Sequence, residues 1–307
     1  MQCAIEVSGL RVAYPGGRRR GVREAVRGLS FRVNQGETVG FIGPNGAGKS
    51  STLKALMGFV APTGGEIRLL GESAGSPAAR ARVGFLPEVA LYYPWLTPYE
   101  TLWLHAGLAG LEPADARRQI PTLLDRVGLV GRHRDRLGGF SKGMVQRVGI
   151  AQALLGSPSL LVLDEVSSGL DPQGRHELRE ILLERKRDGV TILFSSHELT
   201  EVAQLCDRLL MISDGTLLED RTVPELLRQL RRYWVRYACA GEPPLPSRRG
   251  SEFWEAEFQD LDHWRTQLNL LSESAGCRIL DAGEREGTLE RYFLDRVAQS
   301  RSAGACS

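Results

Sequence analysis

One segment of this 307-residue chain has residue types and spacing that specify a chemistry. Gly43-Pro44-Asn45-Gly46-Ala47-Gly48-Lys49-Ser50 fits the pattern G-x-x-x-x-G-K-[ST] in full, directly after the apolar run TVGFI and at the start of a helical pattern beginning with Ser51. Glycines at these positions let successive backbone N–H groups turn inward around phosphate oxygens. A lysine at position 49 reaches β- and γ-phosphates as a point charge, and the Ser50 hydroxyl is a ligand for Mg²⁺. The N-terminus of the helix adds positive potential. A second segment, Leu160-Leu161-Val162-Leu163-Asp164-Glu165, is an apolar strand ending in two acids. Taken alone, those acids cap the next helix as readily as they serve chemistry. Beside a phosphate loop, Asp164 becomes a second anchor for the metal and Glu165 a group that orients and deprotonates an attacking water.

The rest of the chain supplies elements that position these groups. Segments IEVSGLRVAY and LSFRV read as two strands joined by the turn PGGRRRG, whose arginines Arg18–Arg20 suit a solvated hairpin tip. Beyond the phosphate loop and its helix, a polar, helix-rich stretch runs from about residue 77 to 136. A helix over about 142–155, the strand SLLVLD, a helix over 174–187, the strand VTILFSS, a helix over 199–206, and the strands LLMIS and GTLLE follow. Strands with continuous apolar cores, alternating with helices, predict an α/β fold with a mostly parallel buried sheet. After about Arg221 the pattern becomes strand, strand, helix, strand, helix, interrupted by GEPPLPSRRGS, which predicts a small separate α+β unit. Leu289, Phe293, Leu294 and Val297 fall at helical spacing and are expected to cover its sheet.

Composition narrows the class. Lys and Arg number 39 against 37 Asp and Glu, a net charge of +2 that gives no general reason to bind nucleic acid. Five scattered cysteines (Cys3, Cys206, Cys239, Cys277, Cys306), with no CxxC spacing, suggest neither a disulfide framework nor a zinc site, and fit a reducing compartment. The N-terminus does not read as a signal peptide, and no run reaches the ~20 apolar residues that cross a bilayer. Among the histidines, His105 and His263 carry no motif, and His133 reads as a solvated surface residue.

With these residues in hand, the chain resembles the nucleotide-binding subunit of ATP-binding cassette (ABC) transporters over about residues 1–220. The family's LSGGQ signature has its counterpart in Phe140-Ser141-Lys142-Gly143-Met144, followed by Gln146-Arg147. Its D-loop matches Ser168-Gly169-Leu170-Asp171, its switch histidine His197, and its adenine-stacking aromatic Tyr14. The resemblance implies a P-loop NTPase domain of the ABC type. It would have an antiparallel β subdomain, a helical subdomain over about 88–157, and a C-terminal accessory α+β domain over 221–307. ATP and Mg²⁺ are the implied ligands. Gly43 to Ser50 with Ser51, together with Tyr14, Ser141 and Gly143, would hold nucleotide; Ser50, Glu88 and Asp164 the metal; Glu165 and His197 the chemistry.

Three departures stand out. Glu88 in GFLPE replaces the Q-loop glutamine, Lys142 and Met144 replace signature residues, and Val166-Ser167 replaces the usual Pro-Thr after the catalytic glutamate. FSKGM and LPE resemble the branch serving multidrug, polysaccharide and other exporters. The resemblance therefore implies an ATPase that closes as a homodimer, or with a paired ABC subunit, around ATP. It would be peripheral on the cytoplasmic face of the membrane and drive export through a separate permease. The segment Leu91-Tyr92-Tyr93-Pro94-Trp95-Leu96 is either core packing or the groove that receives the permease. The C-terminal unit is either a packed appendage or a regulatory and dimer-supporting one. Two other readings share the cassette: an accessory ATPase of a maturation system, and a soluble ATPase of DNA repair or translation.

Overall fold

The computed structural model describes residues 2–15, 21–196, 198–240, 242–250, 253–274, 276–285 and 289–304. The chain divides into two compact units, Met1–Arg221 and Thr222–Ser307. Strands β1 (Cys3–Pro15) and β2 (Val22–Asn34) form an antiparallel hairpin in which Tyr14 stands opposite Arg23. Alternation along β1 buries Ile5, Val7, Leu10 and Val12. The arginine-rich turn expected between the strands lies outside the described residues.

Strand β3 (Thr38–Ile42) is buried along its whole length and feeds the phosphate loop and helix α1 (Lys49–Leu56). Strands β4 (Gly64–Leu69) and β5 (Glu72–Ser73) then complete an antiparallel sheet in the order β2-β1-β4-β5. After the short helix α2 (Pro77–Arg80) comes β6 (Val83–Leu86). The sequence reading subsumed β6 in a helix-rich stretch. Only four residues long, it is recognised as a strand by its parallel pairing with a neighbour distant in sequence.

The helical subdomain contains α3 (Pro98–Leu108), α4 (Pro113–Arg126) and α5 (Lys142–Leu154). A reciprocal cap starts α3: the Thr97 hydroxyl accepts from Glu100 N–H at 3.1 Å, and the Glu100 carboxylate accepts from Thr97 N–H at 2.9 Å. His133, expected in solvent, instead lies half-buried with Nε2 2.8 Å from Asp125. The chain returns to the core through β7 (Leu160–Asp164), α6 (Pro172–Arg187), β8 (Thr191–Ser195), α7 (Leu199–Leu205), β9 (Arg208–Ser213) and β10 (Thr216–Thr222). The central sheet runs β10-β9-β3-β8-β7-β6, with β3–β8, β3–β9, β7–β8 and β6–β7 all parallel. This is the predicted α/β architecture. Strands β3, β7 and β8 are buried on both faces, which is why they read as unbroken apolar runs.

The second unit comprises α8 (Val223–Leu230), β11 (Arg232–Cys239), β12 (Arg248–Arg249), β13 (Trp254–Phe258), α9 (Leu261–Glu273), β14 (Cys277–Arg285) and α10 (Leu289–Gly304). Its sheet has the order β12-β13-β11-β14. A small core of Val235, Tyr237, Ala256 and Leu271 lies between this sheet and α9. The Trp264 indole N–H ties α9 to the Trp234 carbonyl at 3.1 Å. Two expectations are corrected in this unit. Helix α9, not α10, covers the sheet; α10 meets α8, burying Leu289 and Val297 while Leu294 is exposed. Cys239 and Cys277 are disulfide-bonded, because the β11–β14 register sets them directly opposite with a Cα–Cα distance of 4.2 Å. Their separation of 38 residues carries no motif, so only strand pairing brings them together.

This cross-link restricts the unfolded chain across 38 residues, for which loop entropy gives at most ~4 kcal/mol. Reduction by dithiothreitol, and Cys277→Ala, should each lower the unfolding midpoint of the Thr222–Ser307 unit and leave that of Met1–Arg221 unchanged. Calorimetry of the full chain with and without reductant checks this, and a second transition insensitive to reductant would refute the bond.

Candidate active site

The phosphate loop joins the C-terminal end of β3 to α1, and its glycines are fixed by packing as well as by turning. A Cβ at Gly43 would lie 2.4 Å from the Ile212 carbonyl oxygen on β9. Gly48 has φ +107°, and a Cβ there would lie 2.5 Å from the Ala25 carbonyl oxygen on β2. The Ala47 carbonyl accepts from Gly215 N–H at 2.9 Å, anchoring the loop to the β9–β10 turn. Lys49 is buried and folds back across the loop. Its Nζ donates to the Gly43 carbonyl at 2.6 Å and stands 3.8 Å from Glu165 Oε1.

Parallel pairing sets the opposite wall. Asp164, the last residue of β7, is in register with Ser195 of β8, and the Ser195 hydroxyl donates to Asp164 Oδ1 at 2.6 Å. Glu165 follows in a left-handed conformation, φ +48°, which costs a non-glycine residue of the order of 1–2 kcal/mol. Its backbone is held on both sides. Its N–H meets the Ser195 Oγ at 3.0 Å and the Ser195 carbonyl at 3.2 Å, and its carbonyl accepts from Ser168 N–H at 3.0 Å.

These groups face one open cleft of roughly 890 Å³. Of the residues the sequence singled out, Tyr14, Pro44, Asn45, Gly46, Gly48, Lys49, Ser50, Ser51, Glu88 and Glu165 line it. Gly43 and Ala47 form the loop's buried side, and Asp164 is buried at the strand end behind Glu165. The Tyr14 hydroxyl donates to Ser51 Oγ at 3.3 Å, so the aromatic ring sits at the phosphate-loop end of the cleft. Four lining residues were not singled out as ligands: Pro15, Arg23, Ala25 and Ser168. Arg23 has a signal visible only once the hairpin is paired, since it stands opposite Tyr14. Among the described residues no cluster of three or more His, Cys, Asp or Glu forms a ready-made metal cage. The oxygens on offer, from Ser50, Glu88 and Asp164, are of the hard class that suits a cation completing its shell with phosphate and water.

The signature segment does not line this cleft. Ser141 caps α5, its Oγ accepting from Met144 N–H at 3.3 Å. A Cβ at Gly143 would come within 2.9 Å of the Gly169 carbonyl of the same chain, and Lys142 Nζ reaches Ser168 Oγ at 3.4 Å. The buried Gln146 amide donates to the Val166 carbonyl at 2.9 Å, tying α5 to the loop after Glu165. His197 lies outside the described residues.

A second groove, of roughly 560 Å³, adjoins the helical subdomain and is lined by Met57, Phe59, Phe85, Leu91, Tyr92 and Leu108 among others. Pro87 lines this groove and the next residue, Glu88, lines the nucleotide cleft. The aromatic segment divides: of its residues Leu91 and Tyr92 line this groove, and Tyr93 to Leu96 do not. Tyr92 packs inward, its hydroxyl donating to Gln152 Oε1 at 3.0 Å, and burial pushes its phenol well above the usual range. Tyr93 and Trp95 stack on each other with centroids 5.0 Å apart and are 55% and 62% exposed. No helix among the described residues is long and apolar enough to cross a membrane.

Comparison with known proteins agrees with this geometry. Residues 26–168 match the family described as ABC transporter. An uncharacterized ABC transporter ATP-binding protein of Nostoc sp. is 46% identical over 282 residues, covering 89% of this chain and 83% of that protein. The bacitracin transport ATP-binding protein of Bacillus licheniformis is 40% identical over 291 residues, covering 90% and 94%. A solved ATP-binding subunit of an ABC transporter superposes with a TM-score of 0.66 at 35% identity, covering 74% of this chain and 92% of that one. With a phosphate loop, the acid Glu165 at a parallel strand end and an aromatic gathered on one cleft, this chain belongs to the ATP-binding, ATP-hydrolysing subunits of ABC transporters.

Proposed function

We propose that this subunit powers export through a separate membrane permease, closing as a homodimer around ATP and Mg²⁺ on the cytoplasmic face of the membrane. One observation carries the catalytic part: Lys49, Ser50 and Glu165 converge on the same cleft, with Lys49 and Glu165 3.8 Å apart. Incoming phosphate oxygens compete for Lys49, which exchanges its contact with the Gly43 carbonyl for the β- and γ-phosphates. Glu165 then faces the γ-phosphate and is the group assigned to accept a proton from water. The loop N–H groups and the start of α1 stabilise charge on the phosphates without reorganising. Ser50, Asp164 and Glu88 would hold Mg²⁺, which when bound neutralises phosphate charge. The cleft is open, and Ser141 and Gly143 are the groups assigned to close it from a second copy. In that reading His197 contacts the γ-phosphate.

Export is favoured by the relatives. Besides the bacitracin transport protein, a linearmycin resistance ATP-binding protein of Bacillus subtilis is 36% identical over 228 residues. A permease partner is supported by the second groove, where exposed Leu91, Leu108 and Phe59 present apolar surface suited to a short helix of the membrane subunit. The Pro87–Glu88 step supplies a covalent link between that groove and the proposed metal site.

Three outcomes test this reading. Lys49→Ala should weaken ATP binding, whereas Glu165→Gln should keep binding and lower turnover ~100-fold or more, measured as nucleotide affinity and phosphate release; normal turnover by Glu165→Gln removes its role. Glu88→Gln should preserve ATP binding and change permease-stimulated hydrolysis, and Leu91→Asp should abolish that stimulation; unchanged stimulation and transport in both would make the groove incidental. Mixing Lys49→Ala with Gly143→Asp protein should restore some hydrolysis, because one of the two composite sites is then intact. The Gly169 carbonyl, 2.9 Å from a Cβ at Gly143, gives Gly143→Asp a close contact within its own chain as well. A within-chain defect would damage both sites of the mixed dimer, so ATP affinity of the Gly143→Asp protein is measured first. With that affinity at the wild-type level, verified mixed dimers that neither close nor hydrolyse ATP, while wild-type controls do both, would refute assembly across the dimer.

A further inference from the structure

The loop from Glu165 to Asp171 begins in a strained conformation and lacks the Pro-Thr pair common after the catalytic glutamate. Proline fixes φ covalently; Val166 does not. Another restraint stands in that place. The Ser167 hydroxyl donates to Glu201 Oε2 at 2.9 Å, and the Ser196 hydroxyl donates to the same oxygen at 3.2 Å. Both serines are almost wholly buried, and Glu201 is half-buried. Ser196 Oγ accepts in turn from Glu198 N–H at 2.9 Å, and Glu198 pairs with Arg175 on α6. Burial raises the Glu201 carboxyl above its ordinary range, and the two serine hydroxyls offset part of that shift by binding the carboxylate. The segment 166–167 is thus clamped from both sides, by Gln146 on the Val166 carbonyl and by Glu201 on the Ser167 side chain.

We infer that Glu201 is a positioning residue: through Ser167 it holds the Glu165–Ser168 turn in the geometry hydrolysis requires, and through Ser196 it links that turn to the loop leaving β8. This rests on the proposed role of Glu165. Glu201 does not line the nucleotide cleft, so its loss acts on turnover and spares binding. Glu201→Gln keeps, as its amide oxygen, the single acceptor to which both Ser167 and Ser196 donate, and is the conservative rescue.

The test uses the full-length chain and measures ATP affinity, KM, kcat and thermal unfolding for Glu201→Ala, Glu201→Gln, Ser167→Ala and the Glu201→Ala/Ser167→Ala pair. Loss of a hydrogen bond to a buried charge predicts a kcat lower by about tenfold in Glu201→Ala, with ATP affinity changed less than about threefold. Ser167→Ala should give a similar loss, the double variant one no larger than the worse single variant, and Glu201→Gln most of the wild-type kcat. A wild-type kcat in Ser167→Ala, additive losses in the pair, or a fall in ATP affinity matching the fall in kcat would each overturn the inference. Ser167→Ala removes the donor with little change in volume, so it decides the matter even if Glu201→Ala does not fold. Normal turnover in Glu165→Gln would instead remove the reading of Glu165, while the coupling between Glu201 and Ser167 would still be read from the pair.

Discussion

The parallel register of three strands is the constraint on which the site depends. Phe41 of β3 stands level with Ser195 of β8, and Ser195 with Asp164 of β7. Because these strands run the same way, their C-terminal ends share one edge, where each hands over to a loop. The phosphate loop, the two acids and the loop leaving β8 are therefore neighbours although more than a hundred residues separate the first from the others. Slipping β7 against β8 by one residue would turn each side chain to the opposite layer and detach Ser195 from Asp164.

Polar groups at that edge are accommodated by mutual satisfaction. Asp164 is buried and accepts from Ser195, while Lys49 is buried among loop carbonyls with the Glu165 carboxylate close by. Unpaired, such groups would destabilise the core by several kcal/mol. The same arrangement stores some strain at Glu165, whose left-handed backbone persists because Ser195 and Ser168 engage both its N–H and its carbonyl. Restraint of the following residues comes from helices on either side, α5 through Gln146 and α7 through Glu201. Helix α5 and the loop after Glu165 are thus joined directly by a buried hydrogen bond.

The Thr222–Ser307 unit is built on different lines. With few buried residues, it relies on the Cys239–Cys277 bond and on its solvent-side sheet face. There Arg236 lies 4.9 Å from the Trp234 ring and 5.0 Å from the Phe253 ring, and Glu255 joins Arg236 to Arg285. Long basic side chains laid over aromatic rings cover apolar surface that a small unit cannot bury beneath a second layer.

The sequence by itself determined the chemistry that contiguous residues can make. Gly43 to Ser50 form a phosphate cradle because its N–H groups, lysine and helix start come from one turn of chain, and the apolar runs ending at Ile42, Asp164 and Ser195 foretold buried parallel strands. It left open whatever depends on which distant segments become neighbours. Strand β6 is too short to be recognised without its partner β7, and Arg23 enters the cleft only through hairpin pairing with Tyr14. Tyr92 and Tyr93, adjacent in sequence, part to opposite surroundings, and Cys239 meets Cys277 through register alone. Glu201 reads as one more acid on a helix until α7 packs beside the loop carrying Ser167. These are decisions of tertiary structure, because a side chain's partner across space is set by packing and strand order, neither of which is encoded in local spacing.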